Sequence, residues 1–400
     1  MECKYPLITK AKLTITNRCQ LLCTYCFESQ NSKEMSYEVA KDSVDYLAKN
    51  AKEMGVIPQV IFFGGEPLLR YDDLIKPIIS YIRETYGASY GINMTTNGIL
   101  LDEEKLKFLK ENRAQFMLSL DGNREAHNAC RVYHGGQGSY DDIAENIPNI
   151  LKYFPRTRAR MTLTPANVGE LYNSIIDVET KGFVDMHILP NLFEEWSDEA
   201  VETARSQMNL YKEDIIRRFE EDDIPLVFGT LKEMFCKIVV IINEIQKDRC
   251  REAYIAKPCS RCGIGCTGNG AIDYEGNIFT CQRSSVEADE SNPMYLGSIY
   301  NGYSEERIDT LLGMNQSQFS SEFYNCKDCP LDRICTGGCV PNNYALYGEF
   351  TKLPKFYCEW NRILYDAALE IIKYFDKDKT NDLFKDWFYG VATGGVYLAG

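Results

Sequence analysis

Apolar positions in the first half of the chain switch repeatedly between two periods. Runs rich in β-branched, aromatic and other apolar side chains, at roughly 10–16, 58–63, 89–95, 115–120, 158–164 and 183–189, read as strands. Between them, apolar residues recur at helical spacing. Ser36 is placed to cap a helix carrying Val39, Ala40, Leu47, Ala48 and Ala51 on its inner side, with Gly55 as its stop. Asp102 caps the next, with Leu106 and Leu109 inward. Ser139 followed by Asp142 reads as a capping box before Ile143, Ile147 and Leu151, and Pro148 is expected to kink that helix or shift its start. Six such β/α units predict a parallel sheet. Six units point to an open, partial barrel and not to a closed eight-fold one.

In such an architecture the active site lies at the C-terminal ends of the strands, and the polar motifs fall there. Strand one runs into Cys19-x3-Cys23-x2-Cys26. Three thiolates can hold three irons of a 4Fe–4S cube and leave the fourth open to an outside ligand. A structural zinc site takes four ligands, and no fourth Cys or His lies nearby in sequence. Gly64-Gly65-Glu66-Pro67 follows strand two, Thr95-Thr96-Asn97-Gly98 ends strand three, and Ser119-Leu120-Asp121-Gly122 ends strand four. Thr162, Thr164 and Asn167 lie on or just after strand five. Each motif alone is compatible with a plain turn; their placement on one rim is what points to a site.

Charge and composition narrow the class. Net charge is −14, from 44 basic and 58 acidic residues, which disfavours a nucleic-acid partner. There is neither a signal sequence nor an 18-residue apolar run, so a cytoplasmic chain without a membrane span is expected. The 16 cysteines are the outlier. They cluster at metal-ligand spacings in a long chain, which favours metal sites in a reducing compartment over disulfides.

The cysteine triplet with Tyr25 before its third member, and Gly64-Gly65-Glu66-Pro67 after the second strand, resemble the radical S-adenosylmethionine (radical SAM) superfamily. The resemblance implies a partial (β/α)6 TIM-like barrel in which Cys19, Cys23 and Cys26 hold a 4Fe–4S cluster. It further implies that SAM chelates the open iron and is cleaved to a 5′-deoxyadenosyl radical that abstracts a substrate hydrogen. Carried onto this sequence, Gly64, Gly65 and Pro67 shape the approach to the methionine moiety, and Glu66 takes its ammonium. Asn97 belongs to the same rim. Ser119 and Asp121 face the ribose and methionine ends, and Arg131, in a His127-x3-Arg131 run, pairs with the SAM carboxylate. Tyr25 lies against adenine, whose edge meets backbone near Ile188 and Leu189. His127 is as compatible with packing as with the site, and His134 and His187 are read as structural.

Residues 196–258 read as helical, with Ser197 starting a long stretch and Lys232–Gln246 a strongly apolar segment. Cys236 and Cys250 have no metal-like spacing. From Cys259 the composition changes: Ala271-Ile272 and Ile278-Phe279 flank an Asp273–Asn277 hairpin turn. A zinc ribbon is the structural alternative for the cysteines around it. The pattern Cys266-x9-Gly276-x4-Cys281, then Cys326-x2-Cys329-x5-Cys335-x3-Cys339, then Cys358 is similar to the SPASM extension of radical SAM enzymes. That resemblance implies one auxiliary cluster on Cys262, Cys266, Cys281 and Cys339 and another on Cys326, Cys329, Cys335 and Cys358. Cys259 is an alternative to Cys262. The cofactors implied are thus three 4Fe–4S clusters and SAM.

The expected division is a radical SAM barrel over 1–225, a helical bridge over 226–258, a cysteine-rich auxiliary-cluster domain over 259–360, and a C-terminal helix and tail over 361–400. The aromatic and glycine-rich stretch from Trp387 to Gly400 reads as a mobile tail or a cover over the substrate opening. Within the family, two functions compete. One is maturation of a ribosomally made precursor peptide by thioether or carbon–carbon crosslinking. The other is anaerobic sulfatase maturation, which makes formylglycine. The latter family places its general base, an Asp, directly after the Gly-x4-Cys cysteine; here that residue is Gln282, and no other general base is assignable. A non-catalytic Fe–S electron-transfer or sensor protein is the reading from another class. The partners implied are a precursor peptide and an external one-electron donor of flavodoxin or ferredoxin type; only 18 residues precede Cys19, so leader recognition is expected to use the barrel, the auxiliary domain or a separate leader-recognition protein.

Overall fold

The computed structural model describes residues 7–242, 268–284, 291–312, 318–331, 335, 337–377 and 381–392. Six strands, β1 (Lys10–Thr16), β2 (Gln59–Gly64), β3 (Gly91–Thr96), β4 (Ala114–Ser119), β5 (Arg158–Leu163) and β6 (Met186–Pro190), pair in chain order, all parallel. Among the described residues β6 pairs with β5 alone, so the barrel stays open. The helices between them include α1 (Tyr37–Met54), α2 (Lys76–Tyr86), α3 (Glu103–Glu111), α4 (Arg124–Cys130), α5 (Tyr140–Tyr153) and α6 (Leu171–Thr180).

Local chemistry explains most helix ends. Ser36 Oγ accepts from the Val39 amide, Asp102 from the Lys105 amide, and Gly55 closes α1 at φ 66°. Ser139 departs from expectation: its hydroxyl makes no cap and turns inward to His127 and the Arg131 carbonyl, and α5 runs through Pro148.

The two faces of the barrel strands differ. Ala11, Leu13, Ile15, Val60, Phe62, Ala159 and Met161 are fully buried against the helices in one hydrophobic core. The alternate positions, such as Lys12, Phe63, Arg160, Thr162 and His187, are only half-buried. Polar, half-exposed side chains on the inner face mark a chamber, unlike the side-chain-filled interior of a closed barrel.

The sheet does not stop at β1. β7 (Asn269–Ile272) pairs in parallel with β1, from Lys10↔Asn269 to Leu13↔Ile272. β8 (Asn277–Phe279), β9 (Tyr295–Ser298) and β10 (Gly302–Tyr303) continue it antiparallel into one ten-stranded sheet. The β7–β8 hairpin forms at the expected turn, where Asp273 Oδ1 accepts from the amides of Glu275 and Asn277.

On the outside, α7 (Asp198–Glu220), capped by Ser197, and α8 (Gly229–Ile242) pack with the long C-terminal helix Lys355–Lys377. Trp196 stacks on Phe356 with ring centroids 3.4 Å apart. The final helix, Asp382–Ala392, is no loose tail up to that point: Phe384 and Trp387 are buried against Phe219, and Trp387 meets Phe235. That packing replaces both the mobile-tail and the cover expectation for the aromatic part; 393–400 lies outside the described residues. Among the described residues no helix is long and apolar enough to cross a membrane.

Candidate active site

Strand β1 delivers Cys19, Cys23 and Cys26 to the C-terminal rim of the barrel. The loop after β2 grips the chain just ahead of them: Gly65 N–H donates to the Thr16 carbonyl and Glu66 N–H to the Arg18 carbonyl, both at 2.8 Å. A Cβ on Gly64 would lie 2.2 Å from the Thr16 carbonyl oxygen, and one on Gly65 2.2 Å from that of Arg18. Both glycines are therefore required by the chain itself, where the sequence suggested approach to a ligand. Gly64 also sits at φ 125°, which favours glycine.

Glu66 is buried, and its carboxylate takes the Thr96 hydroxyl at 2.7 Å, the Leu68 amide at 3.0 Å and the Asn97 amide at 2.8 Å. Burial pushes its carboxyl up to about 7 despite these donors. Pro67 opens the short 3-10 turn that Glu66 caps. Asn97 in turn points Nδ2 at Cys19 Sγ, 3.9 Å away, and accepts from Gln20. Glu66 thus ties the β2 and β3 rims together beside Cys19.

A second network holds the other side. Asp121 is fully buried; Oδ2 accepts from Tyr25 Oη at 2.5 Å and Arg131 Nε at 2.9 Å, and Oδ1 from the Thr162 amide at 2.9 Å. The Arg131 guanidinium lies over the Tyr25 ring at 5.4 Å, with Nη1 3.9 Å from Cys23 Sγ. His127 is buried; burial and Arg131 hold it well below its ordinary pKa, so it is neutral. Its Nδ1 accepts from the Asp121 amide, leaving the Nε2 proton for Ser139 Oγ, 3.1 Å away, which itself donates to the Arg131 carbonyl. The geometry therefore gives Asp121, His127 and Tyr25 the work of holding Arg131 and the cysteine loop. Ser119 is buried at the end of β4. The Ile188 carbonyl accepts from Thr230 Oγ1 at 3.0 Å, while Leu189 pairs in register with Thr162. His134 meets the Cys19 carbonyl at 3.1 Å and lines, with Cys19, Gln20 and Gln30, an open pocket of about 500 Å³ beside the triplet.

The thiols of the triplet are brought together. Burial pushes Cys19 up to about 12 and Cys23 up to about 11, and neighbouring thiols push the same way. The Leu21 amide, at 3.4 Å, points at Cys19 Sγ. Among the described residues no three His, Cys, Asp or Glu side chains converge tightly enough for a single metal ion. A 4Fe–4S cube, ligated at separate corners, needs no such convergence. Thiols crowded in a low-dielectric pocket with N–H donors aimed at sulfur fit a cationic iron cluster, which relieves their burial and repulsion.

The C-terminal cysteines form two further groups. Cys281 is raised by burial and by Cys339. Arg283 Nη1 lies 3.3 Å from Cys339 Sγ and 3.2 Å from Asn342 Oδ1. Burial pushes Cys358 up to about 12, with Cys335, Cys326 and Cys329 all pushing in the same direction. Cys259, Cys262 and Cys266 lie outside the described residues. No disulfide joins the cysteines that are described.

Known proteins resemble this chain in sequence and in fold. The family described as the radical SAM superfamily matches residues 13–175. An uncharacterized protein of Archaeoglobus fulgidus is 32% identical over 386 residues, covering 91% of this chain and 82% of that one. The chain belongs to the radical SAM superfamily. The cysteine-type anaerobic sulfatase-maturating enzyme of Clostridium perfringens is 24% identical over 336 residues, covering 80% of this chain and 85% of its own. Among solved structures, anSMEcpe with bound AdoMet aligns with a TM-score of 0.70 at 19% identity, covering 91% of this chain and 98% of that one. Streptococcus suis SuiB bound to precursor peptide SuiA aligns at 0.60 and 18% identity, covering 88% of this chain and 76% of that one. These two likenesses establish a shared fold. As a radical SAM family member the chain is an enzyme whose family implies a 4Fe–4S cluster and SAM.

Several residues on the chamber wall were not singled out from sequence. Lys12 on β1 donates Nζ to Gln282 Oε1 at 2.7 Å and lies over the Phe63 ring at 5.5 Å. Arg160 on β5 places Nη1 2.9 Å from His187 Nδ1. Phe27 bridges Phe63 and Phe193 with centroid distances of 6.3 and 6.1 Å. The available signal was a Lys or Arg inside an otherwise apolar strand.

Proposed function

We propose that this chain is a peptide-modifying radical SAM enzyme that abstracts a hydrogen from a residue of a ribosomally made precursor peptide and closes a thioether or carbon–carbon crosslink. Cys19, Cys23 and Cys26 would hold the catalytic cluster. Gly64, Gly65, Glu66, Pro67, Asn97, Ser119, Arg131, Tyr25 and Leu189 would border SAM, with Asp121 holding Arg131 in place. Cys281 and Cys339 would belong to one auxiliary cluster, and Cys326, Cys329, Cys335 and Cys358 to the other. When bound, cluster and SAM supply the 5′-deoxyadenosyl radical that takes the substrate hydrogen. The protein's own part is to position: the Glu66 and Asp121 networks fix both sides of the cysteine loop, and the half-buried chamber admits a substrate side chain.

The observation that carries the choice between peptide chemistries is Gln282. It follows Cys281 and accepts from Lys12 Nζ at 2.7 Å. An amide accepts no proton, so this position offers no base for formylglycine formation. Formylglycine formation is the second reading, supported by the maturating-enzyme relatives across 80% of the chain. The test is turnover of reconstituted protein with candidate peptides under reducing, anaerobic conditions, read by mass spectrometry. Crosslinking removes hydrogen only; formylglycine from cysteine exchanges sulfur for oxygen, and formylglycine from serine, which also loses only hydrogen, is distinguished by capture of its aldehyde with a hydrazide. Absence of 5′-deoxyadenosine would refute both readings.

A further inference from the structure

The chamber wall carries three cations that repel one another. Lys12 comes from β1, Arg160 from β5, and Arg283 from the segment after β8. Burial lowers Arg160 to about 10, and Arg283 and Arg131 push it further down. Burial likewise lowers Lys12 to about 8, with Arg160, Arg283 and Lys10 acting in the same sense and Cys281 against it. Among the described residues none of the three forms an ion pair with a carboxylate. The carboxylate whose charge Arg160 feels is Asp121, and both its oxygens are taken by Tyr25, Arg131 and the Thr162 amide.

Their surroundings differ in a useful way. Arg283 is turned toward Cys339, so a cluster there would absorb its charge. Lys12 also feels Cys281. Arg160 is bonded to His187, whose Nε2 lies 3.9 Å from Glu233 Oε1, and it lies close enough to Tyr25 to feel its charge. Phe63, Phe27 and Phe193 form an apolar wall beside Lys12 and Arg283. Half-buried cations that make no carboxylate ion pair among the described residues, beside aromatic rings, make a receptor for an anion on an otherwise apolar group.

We propose that Arg160 and Lys12 bind a carboxylate of the peptide substrate, supplied by an acidic side chain or by a free C-terminus, and so set which part of the peptide enters the chamber. This rests on the peptide reading above. It assigns Arg160 and Lys12 as specificity-determining residues and leaves the reacting atoms to the substrate.

The test uses the full-length reconstituted protein, immobilised anaerobically with saturating SAM, so that the SAM carboxylate cannot compete. Three hexapeptide libraries, randomised at the other positions without Asp or Glu, are passed over it: one with a fixed Glu and an amidated C-terminus, one with Gln in its place, and one with Gln and a free C-terminus. The expected result is at least tenfold greater retention of a carboxylate-bearing library than of the amidated Gln library, with the two acidic libraries distinguishing side chain from terminus. Arg160→Gln should bring that ratio within twofold, and Arg160→Lys should restore part of it. Iron content and circular dichroism report whether each variant folds; if Arg160→Gln does not, Lys12→Gln is judged by the same ratio. Retained peptides without a carboxylate preference, or a preference unchanged in the variants, overturn this proposal alone. Failure to retain any peptide overturns it together with the peptide reading.

Discussion

Replacing Gly65 by Ala separates the two purposes a glycine can serve at this rim. The added Cβ would stand 2.2 Å from the Arg18 carbonyl oxygen, 2.6 Å from its carbon and 3.0 Å from the Asn17 carbon, all backbone atoms that cannot swing aside. Relief requires the loop and the end of β1 to part by about 1 Å, to regain ordinary contact distance. The two 2.8 Å hydrogen bonds from Gly65 and Glu66 would then stretch beyond hydrogen-bonding range. Overpacking costs about 1–3 kcal/mol and each lost bond about 1 kcal/mol, so a destabilisation of roughly 3–5 kcal/mol is expected. At about 2–4 °C per kcal/mol, the thermal midpoint should fall by on the order of 10 °C. The assay is unfolding of the iron-free, SAM-free protein, followed by iron content after reconstitution. A variant as stable as its parent in that state, with a defect confined to SAM affinity, would refute the packing argument and return Gly65 to the ligand.

Asp121→Asn leaves Arg131 buried without its counter-charge and should cost roughly 3–5 kcal/mol in urea unfolding; an unchanged midpoint would show that the Tyr25–Asp121–Arg131 network contributes nothing to the fold. Glu66 gives a pH signature. Its folded value near 7 lies above the ordinary 4.5, so the unfolded chain ionises first. Stability from this group is therefore full below about 4.5, falls by roughly 3 kcal/mol as pH rises to 7, and is flat above. Glu66→Gln should remove that fall from the stability–pH curve, and a curve parallel to the parent's would contradict the assignment. Cys358→Ser should lower reconstituted iron by about four atoms per chain, whereas Cys236→Ser, at a thiol that donates to the Val391 carbonyl, should leave iron unchanged.

How far the sequence could be read depended on the range of each interaction. Ser36, Asp102 and Ser197 cap their helices through bonds made within three residues, and all were legible. Ser139 has the same local pattern, but its hydroxyl is claimed by His127 and Arg131, contacts set by tertiary structure. The six barrel strands follow from apolar alternation. The attachment of β7 to β1 does not, because strand pairing leaves no local trace. The structure brings the rim motifs together, and it adds contacts that local sequence does not show: Gly64, Gly65 and Asp121 serve neighbouring parts of the chain that only the fold brings close. Lys12 and Arg160 carry no such signal, because a single cation in a strand reads as a solvent-facing position, and only the barrel's curvature turns both inward. The aromatic residues Phe384 and Trp387 looked like a tail until Phe219 and Phe235 supplied the surface that buries them.

The ladder between Lys10–Leu13 and Asn269–Ile272 has a consequence for how the molecule is made. β1 leaves the ribosome first, finds β2 early, and then waits for its other neighbour until most of the chain has been synthesised. Through that interval one side of β1 presents unpaired amides and carbonyls beside apolar residues, a template for pairing with another chain. A protein cut after Ile242 would keep all six parallel strands and the cysteine triplet but would hold that edge open permanently. It is expected to self-associate, and expression of the barrel alone should yield aggregates that a supplied 268–284 hairpin peptide partly dissolves.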